Sequence, residues 1–432
     1  MVMGSSQLWL PWIIDDIHSK AELGRYRIRG FSTFQKVTHF DDLTFLSTGL
    51  TRFPLEGYKE RCNTETALGG GLNAENPLVL DTPIYISGMS YGALSANAKI
   101  ALGKAATMVG TASCTGDGGM LLSERNASEK LIYQVLPSRY GFDPHHLVQA
   151  QAVEIVVGQG AKPGTGGLLM GVKVLDDVAE MRDLPTGIDQ RSPARHPDWL
   201  GPDDLAVKIE QLREATDWRV PVHVKLGACR VTDDVKLAAK AGADGIVIDS
   251  MVAGTGASAE VLIDHSGIPT VPAIVMAREA LRELGLYRKV SLIASGGIRS
   301  GADAAKALAL GADAVAIGIA ALLALNCNKE TPESNFEEEI GAVAGQCHHC
   351  HTGKCPVGIA TQDPALVARL DPDEAAERVA NFINSMTMEM ALITRSLGKG
   401  DVHSLEPEDM AALTIEASAM ARIPLVGTDK IY

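Results

Sequence analysis

From about residue 82 the chain repeats one unit: a short apolar run, a glycine-rich turn, then an amphipathic helix. The runs are Pro83–Gly88, Val153–Val157, Val220–Lys225, Gly245–Asp249, Val290–Ala294 and Ala314–Ile317. Helical spacing is read at Ala93–Val109, Asp203–Ala215 and Ala302–Leu310. Strands that are apolar on both sides belong to a parallel sheet covered on both faces. So many units, each with polar residues just past the strand, predict an α/β fold closed into a (β/α)8 TIM barrel. An open doubly wound sheet is the alternative.

Four segments follow from this reading. Residues 1–80 form an N-terminal arm, irregular and aromatic over Phe31–Leu55, with a helix near Lys20–Leu23; residues 81–325 form the barrel. Residues 326–363 form an acidic linker (Glu337–Glu339) and a cysteine-rich stretch, and 364–432 a tail with helical spacing over Glu374–Ile393. Apolar residues make up 46% and charged ones 21%, enough for a large core and too apolar for disorder. The net charge of −14 excludes nucleic acid and anionic membranes as expected partners, though not an anionic substrate in a local basic pocket. The apolar stretch Leu8–Ile14 is short, contains Pro11 and has no basic residue before it, so it does not read as a signal peptide. No apolar run reaches the ~20 residues of a membrane span. Seven cysteines in a chain too large to need disulfides predict a reduced, cytoplasmic setting.

Ser295-Gly296-Gly297-Ile298-Arg299-Ser300-Gly301 follows one strand and opens a helix, and Gly318 ends the next strand. In barrels the last two loops commonly cup a phosphate with backbone N–H groups. Arg299 could add charge. This pattern names a phosphate, not the molecule that carries it; the plain alternative is two tight turns.

Cys347, Cys350 and Cys355 fall within nine residues, the last before Pro356. Thiolates at such spacing can converge on an iron–sulfur centre. They could equally hold zinc with a histidine as fourth ligand, although His348, His349 and His351 read better as neighbours. Cys62, Cys114, Cys229 and Cys327 are scattered.

Several ordered stretches resemble one family, the FMN-binding synthase domain of glutamate synthases. They are Ser87–Gly92 (SGMSYG), Thr115–Gly119 (TGDGG), Gln159–Gly167 (QGAKPGTGG), Val224-Lys225, Gly254–Ser258, the loop at 296–297 and Cys350–Gln362. The resemblance spans roughly residues 80–365. It implies FMN, with Ser87, Met89 and Ser90 along the ring and Gln159 and Gly254 also in the cofactor site. Gly296, Gly297, Arg299 and Gly318 would lie at the phosphate. Lys225, at the end of an apolar strand, would face a reduced flavin's negative charge. It further implies that Gln159, Lys162 and Arg182 hold the two carboxylates of a 2-oxo dicarboxylic acid, Arg182 by its guanidinium fork and Lys162 as a point charge. Asp117 stands where the family usually has glutamate; it would accept from the flavin imide. The family's three-iron cluster uses C-x5-C-x4-C. Here Ala344 occupies the first position and Cys347 is the nearest substitute, which leaves a 3Fe-4S or a 4Fe-4S cluster open.

The expected chemistry is amine addition to 2-oxoglutarate and flavin-dependent reduction of the imine. Arg25–Gly30 and Arg52–Tyr58 look like the flavin subunit of three-subunit N-methyl-L-glutamate synthases, which convert methylamine and L-glutamate to N-methyl-L-glutamate and ammonia. The alternative is a glutamate synthase large subunit fed with ammonia. Met1-Val2 is no N-terminal nucleophile, so separate glutaminase-like and β-helix-type subunits, in a hetero-oligomer, are the expected partners. Two further readings compete. One is a structural subunit that has lost its chemistry; the other is an isomerase barrel with Cys229 as nucleophile.

Overall fold

The computed structural model describes residues 8–432, so Met1 and Val2 lie outside the described residues. Eight parallel strands form one sheet: β1 Ile84–Ile86, β2 Ala112–Cys114, β3 Lys130–Val135, β4 Ala152–Val156, β5 Val222–Gly227, β6 Gly245–Asp249, β7 Ser291–Ser295 and β8 Ala314–Ile317. Neighbours pair in chain order from β2 to β8, and β8 pairs with β1. Between β1 and β2 the wall is closed by the Thr111 hydroxyl, which donates to the Ile84 carbonyl at 2.5 Å, and by Asp81 N–H to the Gly110 carbonyl at 3.1 Å. The expected (β/α)8 architecture is what the chain adopts.

Period-two alternation sorts each strand into two faces. Ile84, Leu131, Val153, Val224, Ile246, Leu292 and Val315 point out to the helices and join one large core. Tyr85, Cys114, Ile132, Ala152, Val247, Ile293 and Ala316 fill the barrel, together with Leu68, Leu78 and Leu80 from an antiparallel hairpin (Thr66–Leu68 with Leu78–Leu80). Towards the C-terminal ends the side chains become polar: Ser87, Gln134, Glu154, Lys225, Asp249 and Ser295. This is the end where barrels place their chemistry.

The main helices are α1 Ala96–Val109, α2 Leu122–Ala127, α3 Pro144–Leu147, α4 Asp203–Ala215, α5 Val231–Lys240, α6 Thr270–Glu283, α7 Gly301–Leu310 and α8 Pro372–Ser396. Helix α8 begins sharply: Asp371 accepts from the N–H groups of Asp373 and Glu374, and Pro372 occupies the first turn. It packs along both α1 and α7, so the long tail helix takes the eighth place in the barrel's outer ring. No helix among the described residues is long and apolar enough to cross a membrane.

The arm reaches the mouth of the barrel. Its helix Pro11–Leu23 buries no residue, but Ile28–Phe31 pairs antiparallel with Thr255–Ala259 beyond β6. Arg29 anchors it, donating to both oxygens of Asp264 at 2.7 and 2.8 Å. Gly30 N–H donates to the His348 carbonyl at 2.9 Å, and a Cβ at Gly30 would stand 2.8 Å from that of Cys350. The arm therefore lies directly against the cysteine segment.

Candidate active site

One cavity of about 780 Å³ opens at the C-terminal ends of the strands. That is within the usual range for a cofactor or small-molecule site. All the site residues expected from the sequence line it: Ser87, Met89, Ser90, Asp117, Gln159, Lys162, Arg182, Lys225, Gly254, Gly296, Gly297, Arg299, Gly318, Cys347, Cys350 and Cys355.

On the β7–β8 side the backbone is drawn close. Gly296 and Gly297 have φ of 103° and 72°, and a Cβ on Gly296 would meet Ser250 Oγ at 2.3 Å. Only glycine adopts this conformation in this space at no cost. Gly318 has nothing within 4 Å of a built Cβ, leaving room beside it. Gly296→Ala should therefore disrupt the loop, and the flavin-to-protein absorbance ratio of the purified variant should fall several-fold. Retained full absorbance would show that the loop is only a turn. Arg299 adds little free charge here. Its guanidinium contacts Asp41 Oδ1 at 2.6 Å and Asp303 Oδ2 at 3.0 Å. His39, from the arm, donates from Nε2 to the Gly297 carbonyl at 2.7 Å, and its buried Nδ1 has no hydrogen-bond partner.

Two buried lysines face the cavity in opposite electrostatic settings. Lys225 Nζ is 3.6 Å from Asp249 Oδ2 and 3.4 Å from Ser87 Oγ. Burial opposes its charge, but Asp249 and Glu154 outweigh burial and hold its pKa above the ordinary value. Asp249 is fixed in turn by the Ser295 hydroxyl at 2.6 Å and Gly160 N–H at 2.9 Å. Lys162 has only neutral partners, Thr255 Oγ1 at 3.0 Å and the Ala257 carbonyl at 3.3 Å. Burial pushes its pKa down to about 8, against the pull of Asp117 and Asp249. Two like groups driven apart in this way mark a fixed charge and a group that can exchange a proton.

Arg182 is 3% exposed, and its two terminal nitrogens are already used: Nη1 on Gln190 Oε1 at 3.1 Å, Nη2 on the carbonyls of Tyr91 at 2.7 Å and Asp117 at 3.2 Å. A two-pronged carboxylate clamp by its fork is thus pre-empted in this arrangement. Its buried Nε and the Gln190 Nε2 remain without partners. Asp117 accepts from Ser138 at 2.7 Å and Ser192 at 3.1 Å, which sets its carboxylate beside Arg182. Glycine cradle, orphaned donors and a large cavity suit an anionic cofactor and an acidic substrate together.

Cys347, Cys350 and Cys355 line the same cavity, along with His349. The buried Lys173 donates to the Cys350 carbonyl at 3.1 Å and to that of Ala93 at 2.6 Å. The sequence reading overlooked Lys173, Gln134, Asp249, Gln190, His39 and Cys327, all at or beside the site. Gln134 and Asp249 could have been found as polar residues inside apolar strands. Cys229 is exposed and does not line the cavity, and its thiol pKa is raised by partial desolvation and the nearby Asp234 charge, the reverse of what a nucleophile needs.

Comparison with known proteins bears on the family and the fold. The sequence profile of a conserved region in glutamate synthase matches residues 59–400. A glutamate synthase large subunit-like protein of Rhizobium meliloti is 55% identical over 96% of this chain and 94% of its own length. An archaeal glutamate synthase of Methanocaldococcus jannaschii is 44% identical over 76% of this chain, which spans 61% of that protein. For the large chain of Bacillus subtilis glutamate synthase the figures are 34%, 72% and 20%. Among solved structures, a lactate oxidase of Pediococcus acidilactici shares the fold at 15% identity and a TM-score of 0.53, over 88% of this chain and 86% of its own. A flavocytochrome b2 variant does so at 16% and 0.52, over 93% and 84%. By sequence over most of its length, this chain belongs to the glutamate synthase family.

Proposed function

We propose that the chain is an FMN- and iron–sulfur-containing synthase subunit that joins an amine to 2-oxoglutarate. The observation that carries this is the pair Lys162 and Lys225, held in opposite protonation settings in one cavity beside a glycine cradle. Gly296, Gly297 and Gly318 would hold the FMN phosphate, with Ser87, Met89, Ser90 and Gly254 around the ring. FMN, when bound, supplies hydride transfer to and from carbon. A cluster on the cysteines supplies one-electron transfer.

The chain's own residues do the rest. Lys162 binds a substrate carboxylate when charged, and near its pKa of about 8 it can give a proton to the oxygen lost as the amine adds. Lys225 stays charged and offsets negative charge at the cavity floor. Gln159 and the orphaned Nε of Arg182 offer further donors to the second carboxylate. The amine we favour is methylamine, in the reaction of L-glutamate and methylamine to N-methyl-L-glutamate and ammonia. Arg25–Gly30 and Arg52–Tyr58, the stretches that resemble that enzyme's flavin subunit, support it. Glutamate synthase proper, with ammonia from a glutaminase-like subunit, is the second reading, supported by the relatives' names. Both readings place the chain in a hetero-oligomer with glutaminase-like and β-helix-type partners.

An anaerobic visible spectrum with L-glutamate alone separates the two. Bleaching of the flavin bands is the expected result, with glutamate as hydride donor. Bleaching only with an external reductant favours glutamate synthase. Absence of flavin bands sinks both.

A further inference from the structure

Cys327 lies twenty residues before Cys347 in the sequence, in the turn that follows the short helix Ile319–Ala324 after β8. The fold nevertheless brings it to the same cavity wall as Cys347, Cys350 and Cys355. Its neighbours are built for this return. Asn326 and Asn328, on either side, have φ of 77° and 60°, a left-handed turn that asparagine tolerates better than most residues. The Asn328 side chain then ties the two segments together. Its Oδ1 accepts from Cys347 N–H at 2.7 Å, and its Nδ2 donates to the Cys347 carbonyl at 3.1 Å and reaches Cys327 Sγ at 3.7 Å.

We propose that Cys327 is the fourth thiolate of this site, so that Cys327, Cys347, Cys350 and Cys355 together hold a 4Fe-4S cubane rather than a three-iron centre. The inference rests on the iron–sulfur reading of the site. Among the described residues no three of these sulfurs lie within 4.8 Å of one another. Zinc bonds of ~2.3 Å in a tetrahedron would draw four sulfurs to about 3.8 Å apart. A cubane spreads its ligands, because each sulfur binds a different iron. Four cysteines also complete a cubane without an open corner. Lys173, buried beside Cys350, supplies a positive charge against the excess negative charge of four thiolates.

The test is iron and sulfide analysis with EPR on the full chain purified without oxygen, before and after dithionite. About four irons and four sulfides per chain are expected, silent as isolated and paramagnetic once reduced. Cys327→Ser should lose about one iron and become paramagnetic as isolated, the behaviour of an oxidised three-iron centre. Cys62→Ser is the control and should match the wild type. Three irons in the wild type, paramagnetic as isolated, overturn the cubane, as does a Cys327→Ser protein with unchanged iron and spectrum. If Cys327→Ser does not fold, the wild-type iron count and spectrum decide alone. Zinc without iron overturns the underlying iron–sulfur reading instead.

Discussion

Replacing Lys162 by alanine should lower turnover by roughly 100-fold or more, the loss typical when a fixed charge or proton donor is removed from a water-poor site. The residue is 6% exposed and lacks an acidic hydrogen-bond partner, so its charge is available to a ligand. Substrate binding should weaken as well, since the same ammonium is expected to meet a carboxylate. The pH profile gives a second readout. Burial holds the group at about 8, so the charged form dominates below that pH and is lost above it. The wild-type kcat/KM for the 2-oxo acid should therefore fall as pH rises through about 8. In Lys162→Arg the guanidinium stays charged, and this limb should disappear even though activity drops through misplaced geometry. Turnover of Lys162→Ala within two-fold of wild type would remove Lys162 from the chemistry and revive a purely structural subunit.

Much of the barrel was legible because its strands are buried on both faces and so read as continuous apolar runs. β2 and β3 escaped for physical reasons. Ala112–Cys114 has only three residues, too few to show a period. β3 starts at a lysine and carries Gln134, which donates to Glu154 at 2.6 Å inside the barrel, so its apolar run looks broken. The place of α8 in the outer ring was hidden by more than fifty residues between it and β8, a distance along the chain that says nothing of proximity in space. Site residues announced themselves where they sat in glycine-rich loops with unusual backbone needs. Arg182 was visible as a cation, but its use on the Tyr91 and Asp117 carbonyls depends on a loop closure that spacing cannot reveal. Cys327 sits at the end of the apolar run ALLALNC and reads as core. Only the Asn328 tie across the linker shows where its sulfur goes.

Lys99→Met should cost about 3–5 kcal/mol of stability, because it leaves a buried carboxylate without its counter-charge. Lys99 and Glu124 are each about 1% exposed, with Nζ 2.7 Å from Oε1. The ammonium's hydrogens go elsewhere: to the carbonyls of Met89 at 2.6 Å, Cys114 at 3.1 Å and Thr115 at 3.0 Å. One side chain on α1 thus ties the ends of β1 and β2, immediately before Ser90 and Asp117. Its loss should loosen both loops, and flavin content should fall together with the melting temperature. The pH dependence follows from Glu124, whose pKa is raised to about 7 by burial, with Lys99 opposing. A carboxyl raised in this way contributes most below its unfolded pKa of ~4.3, and that contribution is lost as pH rises through about 7. Removing Lys99 raises the pKa further. The variant's deficit against wild type should therefore be smallest below about pH 7 and grow above it. Glu124→Gln, which removes the buried negative charge at similar shape, should cost less and flatten this growth. Thermal melts from pH 5.5 to 8.5 in steps of about one unit, the range that brackets the ionisation, read both effects. A Lys99→Met deficit independent of pH would show that the three carbonyl bonds, not the ion pair, carry the residue's role.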